Sequence, residues 1–204
     1  QANMDEKFRS RFRHHIVQSC NLEDVLATPH GSSLIQVILL DESGLETEES
    51  KPKGVALAQT PKIARATTNK QTPCFDSVYA FLTADQQFFE ESTKDTSRSR
   101  LVEVIINIMA ANSSTPTNTS DKTLASLYSK YMRHKLTELS AHPVANFVVQ
   151  KLIECSAVSL PLYKLIFNEV QDQLATFFRA YLCSDLCHAL YRINHSILLK
   201  HNRG

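Results

Sequence analysis

Four short segments of this chain share one five-residue pattern, and this repetition constrains the fold more than any other feature of the sequence. We call the pattern the frame: a small or polar residue, a planar or polar residue, two apolar residues and a polar residue. The first, second and fifth members of the four frames are Ser32, Ser33 and Gln36; Ser99, Arg100 and Glu103; Asn146, Phe147 and Gln150; and Cys187, His188 and Tyr191. Successive frames begin 67, 47 and 41 residues apart. Because the shortest interval matches helical repeats, the sequence predicts a single all-α domain over residues 1–204, an α-solenoid of about four degenerate repeats.

The composition agrees with a helical fold. Only 4 glycines and 7 prolines interrupt the 204 residues, and good helix formers such as leucine, alanine, glutamine and glutamate are common. A chain of this length can bury a substantial core. Because no apolar run approaches the roughly 18 residues that a membrane span requires, we expect no membrane partner.

Apolar residues at helical spacing predict the individual helices. The predicted helices cover residues 77–91, 99–111, 122–140, 143–156, a segment that opens at Pro161, and 184–200. Pro143 and Pro161 suit a first helical turn, where the missing backbone N–H costs nothing. Short links between these helices predict neighbouring antiparallel pairs.

Two stretches show no sustained helical period. Residues 41–72 pass from acidic to basic through Lys-Pro and Thr-Pro steps, which indicates a long flexible insertion. Residues 112–121 are rich in serine, threonine and asparagine, which predicts a loop. The net charge is only +1, but residues 121–204 hold ten bases and six acids, which is compatible with a locally basic face.

The helix that carries the third frame separates two faces. Asn146 and Gln150 lie about 40° apart around the helix, and Phe147 completes an arc of about 100° with them. The opposite side supplies a core stripe of Ala145, Val148, Leu152 and Cys155. An amide can hydrogen-bond the edge of a base while an aromatic ring stacks on its face. The alternative is an exposed Asn and Gln beside a half-buried Phe, but repetition of the frame favours the nucleic-acid interpretation.

The sequence around this frame resembles a known family. The segment HPVANFVVQKLIE, residues 142–154, resembles the second helix of a Pumilio (PUF) RNA-binding repeat, whose signature runs close to Gly-Asn-Tyr-Val-Val-Gln. The wider stretch 127–154 is similar to the nucleolar protein 9 branch of Pumilio-like proteins, as is DTSRSRLVEVI, residues 95–105. The resemblance is closest over 95–155, and it extends to 22–40 and 176–200.

The resemblance implies roles for the frame residues. In Pumilio repeats, the first and fifth members contact the base edge and the second stacks between bases. Asn146 and Gln150 would then favour uracil, with Phe147 stacking. Ser99 and Glu103 would favour guanine, with Arg100 stacking through its planar guanidinium. Ser33 is a poor stacker, and Cys187, His188 and Tyr191 match none of the family's usual base-reading pairs.

The resemblance also implies a function. We expect an RNA-binding protein of the nucleus and nucleolus that binds precursor ribosomal RNA during small-subunit assembly, with pre-ribosomal proteins as possible further partners. We expect no cofactor, no small-molecule substrate and no enzymatic activity. We also expect Asn146, Phe147 and Gln150 to be solvent-accessible and to share one concave surface with Ser99, Arg100 and Glu103.

Two other interpretations remain open. Cys183, Cys187 and His188 could converge on one helix face, but a metal site needs three or four ligands and no second cluster completes this one, so buried cysteine packing is favoured. The five scattered cysteines suit a reducing compartment better than a disulfide framework.

An α-solenoid can also bind a protein partner instead of RNA. The salt dependence of binding distinguishes these two functions, because RNA binding weakens steeply as ionic strength rises.

Overall fold

The structure, a computed structural model, describes residues 2–45, 73–112 and 123–172. These residues form helices and connecting turns, and none of them lies in a β-strand, which confirms the predicted all-α fold. Several predicted features lie outside the described residues. They are most of the predicted insertion, most of the predicted loop, the predicted helix over 184–200 and the fourth frame with Cys187, His188 and Tyr191. None of the described helices is both long enough and apolar enough to span a membrane.

The first described stretch holds three helices, α1 (Ala2–Ser19), α2 (Leu22–Leu26) and α3 (Pro29–Ser43). The prediction that the insertion starts at residue 41 was wrong, because α3 continues to Ser43. Gly44 ends the helix in the left-handed conformation, with φ of 66°, which glycine adopts without steric cost.

The second described stretch also holds three helices, α4 (Pro73–Leu82), α5 (Gln86–Lys94) and α6 (Arg98–Asn112). The single helix predicted over 77–91 is wrong, because α4 and α5 are separate. Asp85 starts α5 by accepting a hydrogen bond from the backbone N–H of Phe88 at 2.9 Å. The helix predicted over 99–111 is confirmed as α6.

The third described stretch holds α7 (Leu124–Leu127), a π-helical turn (Tyr128–Met132), α8 (Leu136–Ala141), α9 (Ala145–Ser156) and α10 (Leu160–Asp172). The continuous helix predicted over 122–140 is therefore wrong. The predicted helix over 143–156 and the helix opening at Pro161 are confirmed as α9 and α10, within two residues at each start.

The break between the π-helical turn and α8 is stabilised from a distance. His134 adopts a positive φ of 65°, which a non-glycine residue rarely does. The Glu169 carboxylate, on α10, accepts hydrogen bonds from the backbone N–H groups of His134 at 2.9 Å and Leu136 at 3.1 Å, and from the Tyr128 hydroxyl at 2.6 Å. The break thus depends on a residue 33 positions or more away along the chain.

The helices form two layers around one core. The helices α3, α6 and α9 lie side by side in chain order, and we call them the frame row because each carries one frame. The remaining helices pack behind them, with α1 against α4, α5 against α6 and α8 against α9. The predicted core stripe of α9 is confirmed, since Ala145, Val148, Leu152 and Cys155 are all buried.

Candidate nucleic-acid interface

Each helix of the frame row begins with the same kind of cap. The capping residues are Thr28, Asp95 and His142, and each lies four positions before the first member of its frame. The accepted backbone bonds are Gly31 N–H to Thr28 Oγ1 (3.1 Å), Ser97 and Arg98 N–H to Asp95 Oδ1 (3.0 and 2.8 Å), and Val144 and Ala145 N–H to His142 Nδ1 (3.2 and 3.3 Å). These caps were not among the features predicted from the sequence, although a hydrogen-bond acceptor that recurs four positions before each frame was a readable signal.

The caps place the three frames on equivalent helical turns. In each case the first frame member donates its backbone N–H to the carbonyl of the capping residue: Ser32 to Thr28 at 3.0 Å, Ser99 to Asp95 at 2.9 Å and Asn146 to His142 at 3.1 Å. The second and fifth members therefore project from matching positions of adjacent helices. The three described frames are thus structural repeats as well as sequence repeats.

The two serines that open the first and second frames are buried. Ser32 is 1% exposed and Ser99 is 2% exposed. Ser32 Oγ donates a hydrogen bond to the carbonyl of Ser97 at 2.5 Å and accepts one from Gln36 Nε2 at 3.1 Å. Both serines occupy frame positions for which the resemblance implies base contacts, yet both hydroxyls are buried where helices pack. A serine is short enough to lie beneath the surface where helices pack, whereas Asn146 reaches further and is only partly buried.

The second and fifth members of the first frame reach the surface. Ser33 is exposed, and its hydroxyl donates to the carbonyl of Pro29 at 2.8 Å. Gln36 is half-buried beside Ser32. This frame offers a surface amide but no planar side chain at its second position.

The second frame presents an arginine and a shielded carboxylate. The Arg100 side chain is 57% exposed, and its guanidinium donates to both oxygens of Glu103 at 3.3 Å. The Glu103 side chain is only 13% exposed. Burial raises the pKa of the Glu103 carboxyl, and the nearby cations Arg100 and Lys151 partly offset that effect.

The third frame presents an aromatic ring between two amides. Phe147 is 44% exposed, unlike the buried apolar residues that follow it. Asn146 Nδ2 donates to the carbonyl of Pro143 at 3.1 Å, and Gln150 Nε2 donates to Asn146 Oδ1 at 3.3 Å. These bonds hold both amides at the surface beside the ring. Each amide group has further donor and acceptor atoms with which a base edge can pair.

The second and third frames meet directly. The Arg100 guanidinium carbon lies 5.2 Å from the centroid of the Phe147 ring, so the second members of adjacent frames are in contact. The structure therefore brings Arg100, Glu103, Asn146, Phe147 and Gln150 to one surface of α6 and α9, and we call these five residues the α6–α9 patch. The expected accessibility holds for Phe147 in full and for Asn146 and Gln150 in part.

The comparisons with known proteins agree with this architecture. The model of the NOP9-like PUF repeat domain matches residues 2–182. The chain belongs to the NOP9-like PUF repeat family. No curated protein matches the chain, and no solved structure matches it. PUF repeats bind RNA and are not enzymes, so the chain is an RNA-binding repeat protein with the α-solenoid fold that its sequence predicts.

Metal-ligand groups and cysteine thiols were compared over the described part of this PUF repeat protein. It contains no group of three or more His, Cys, Asp or Glu side chains that could hold a metal ion. Burial raises the pKa of the Cys74 and Cys155 thiols to about 12, so both are protonated at neutral pH and are poor nucleophiles. Cys183, Cys187 and His188 lie outside the described residues.

Proposed function

We propose that this PUF repeat protein binds single-stranded segments of precursor ribosomal RNA in the nucleolus, as a factor in small-subunit biogenesis. The RNA-binding activity follows from the family. The nucleolar location and the ribosomal target rest on the resemblance of residues 95–105 and 127–154 to the nucleolar protein 9 branch. Pre-ribosomal proteins are further candidate partners.

The α6–α9 patch is the observation that supports a direct contact with RNA. It combines an exposed aromatic ring, a planar guanidinium and two surface amides within one small area. These groups can stack on bases and hydrogen-bond their edges. Ser32 and Ser99 are not included in the proposed contact, because both hydroxyls are buried.

The proposed contact predicts a change in specificity as well as in affinity. Replacing Phe147 with Ala removes a stacking surface worth roughly 1–3 kcal/mol per base. Replacing Asn146 and Gln150 with Ala should change the base preference more than the overall affinity, because base-edge contacts specify the sequence and phosphate contacts mainly position the RNA.

The decisive measurement is the RNA affinity of the N146A/F147A/Q150A variant, compared with that of the wild type by fluorescence anisotropy. Thermal unfolding should give both proteins the same melting temperature, which shows that any change in affinity is not a loss of stability. A matched control is Q86A/Q87A, which removes two exposed amides from α5 in the other layer without changing the net charge. We expect the triple variant to lose affinity and selectivity and the control to keep both. Wild-type binding by the triple variant would show that these residues only cover the surface.

Two further measurements address the alternatives. RNA affinity should fall steeply as the salt concentration rises, whereas a flat salt response would favour the protein-scaffold function. Crosslinking of the full-length protein in cells should recover precursor ribosomal RNA, and imaging should place the protein in the nucleolus. A cytoplasmic location with no precursor ribosomal RNA recovered would exclude the ribosomal role and leave RNA binding intact.

A further inference from the structure

The contact between Arg100 and Phe147 restricts how a base can reach the α6–α9 patch. The guanidinium carbon of Arg100 lies 5.2 Å from the centroid of the Phe147 ring. A base inserted between two flat groups needs roughly 7 Å between them, twice the van der Waals separation of about 3.5 Å. With Arg100 in this position, no base fits between the two side chains.

Two interactions keep Arg100 on the ring instead of extended into solvent. The guanidinium contacts the π face of Phe147, which attracts cations. It also donates to both Glu103 oxygens at 3.3 Å, and Glu103 lies on the same helix and is largely shielded from water. Glu103 therefore helps to hold the guanidinium over the Phe147 ring of α9.

We propose that Arg100 occludes one face of Phe147 in the RNA-free protein and leaves that face when a base stacks on it. The proposal rests on the function proposed above. Arg100 then acts as a selectivity element: only a ligand whose stacking on Phe147 outweighs the arginine contact opens this position. A phosphate group or an unstacked segment gains nothing from displacing it.

The occlusion predicts the sign of a double-mutant cycle. In the wild-type background, F147A removes the stacking of a base on the ring. It also removes the contact with Arg100 that RNA binding must break, and this second effect offsets part of the lost affinity. In the R100A background that compensation is absent. We expect F147A to weaken binding by about 2- to 5-fold more in the R100A background than in the wild type, the affinity equivalent of an exposed cation–π contact.

The cycle compares the affinities of the full chain and its variants for a short fluorescein-labelled single-stranded oligouridine RNA. The variants should have the same melting temperature as the wild type. The matched control is R98A, which removes the same charge from the same helix. Arg98 lies over the Phe88 ring at 5.3 Å and pairs with Asp95 at 3.5 Å, where α5 meets α6. The F147A loss should be the same in the R98A background as in the wild type.

The opposite outcomes are distinct. If the base stacks on the outer face of an arginine that stays on Phe147, F147A costs less in the R100A background, and the proposal is overturned. Equal losses in both backgrounds also overturn it, and both results leave RNA binding in place. Failure of the wild type to bind oligouridine or mixed-sequence single-stranded RNA overturns the proposed function and this proposal together.

Nuclear magnetic resonance supplies a readout that does not depend on affinity. Ring-current shielding from Phe147 should shift the Arg100 δ protons upfield in the free protein and should disappear in F147A. Saturation with oligouridine should abolish the shielding in the wild type. Shielding that persists in the RNA complex would show that Arg100 stays on the ring and would overturn the proposal.

Discussion

Burial separates cysteines that look alike in the sequence. Cys20 is exposed at the end of α1, whereas Cys74 and Cys155 are buried. For Cys74 burial is the main cause of the raised pKa, and a hydrogen bond to Glu42 adds to it; for Cys155 burial also dominates. Since the thiolate is the reactive form, a buried thiol with a pKa of about 12 reacts slowly at neutral pH.

We therefore expect iodoacetamide to label Cys20 in the folded protein well before Cys74 and Cys155. Peptide mass spectrometry after a short exposure at neutral pH measures the labelling at each site. Denaturation in urea is the control and should make the three thiols comparably reactive. Labelling of Cys155 at the rate of Cys20 in the native protein would contradict its buried position between α9 and α6.

In the candidate site, the burial of a side chain is not determined by its residue type and frame position alone. The frame identified Arg100, Phe147 and Gln150 as surface residues, and their exposed or half-exposed positions agree with that. The burial of Ser32 and Ser99 could not be predicted in this way, because a sequence pattern gives the direction of a side chain and not how closely the next helix approaches. Ser32 Oγ bonds the carbonyl of Ser97 across that interface.

At the scale of elements, the region from α7 to α8 depends on one carboxylate. Glu169 accepts three hydrogen bonds, one of them from the hydroxyl of Tyr128, whose pKa is raised chiefly by burial and also by this bond. Replacing Glu169 with Ala leaves these donors without their acceptor. We expect the variant to lose about 1–3 kcal/mol of unfolding free energy, the usual cost of an unsatisfied buried polar group.

Urea denaturation of E169A measures this loss, and Q171A, an exposed change on the same helix, is the control for helix propensity. A double-mutant cycle with Y128F adds a direct check. The Y128F change should cost less in the E169A background than in the wild type, because the shared hydrogen bond is already gone. Full additivity of the two changes would mean that this hydrogen bond does not stabilise the break.

At the scale of the whole molecule, an ion-pair network joins neighbouring repeats on the layer behind the frame row. Glu90 of α5 pairs with Lys135, just before α8, and with Lys94 at 2.7 Å, while Lys94 also pairs with Glu138 of α8 at 2.9 Å. Hydrogen bonds from Lys135, and then from Lys94, hold the pKa of the Glu90 carboxyl below its usual value of 4.5. The network therefore couples the stability of two helices to pH.

Because the folded state lowers this pKa, the unfolded chain binds more protons in mildly acidic solution, and stability falls as pH falls. The contribution of Glu90 is fully present above about pH 4.5 and is lost as pH drops through the lower pKa of the folded state. We expect E90Q to be less stable than the wild type at neutral pH and to lose less stability on acidification. Thermal unfolding across this pH range measures both effects.

The exposed Glu91 provides the matched control, since E91Q removes one carboxylate from the same helix outside the lysine network. The E91Q variant should follow the wild-type pH profile. An E90Q profile that runs parallel to the wild type would show that the network does not contribute to acid stability.

Local sequence information was enough to predict the helical fold, the repeated frame and the resemblance to the Pumilio family. These features depend on local information: apolar residues at helical spacing, few helix breakers, and a pattern that recurs on successive helices. The sequence also predicted the direction of the second and fifth frame members, because α-helical geometry alone places them opposite the core stripe of α9.

Features that depend on contacts between distant residues could not be predicted from local sequence and become visible only in the folded chain. The break after the π-helical turn has no glycine or proline to mark it, and it depends on Glu169 from α10. The extension of α3 through residues 41–43 accompanies an ion pair between Asp41 and Arg13 of α1. The contact of Arg100 with Phe147 joins residues 47 positions apart, and the packing of α6 against α9 alone brings them together. Sequence periodicity describes one helix at a time, whereas each of these features depends on the free energy of contacts between two helices.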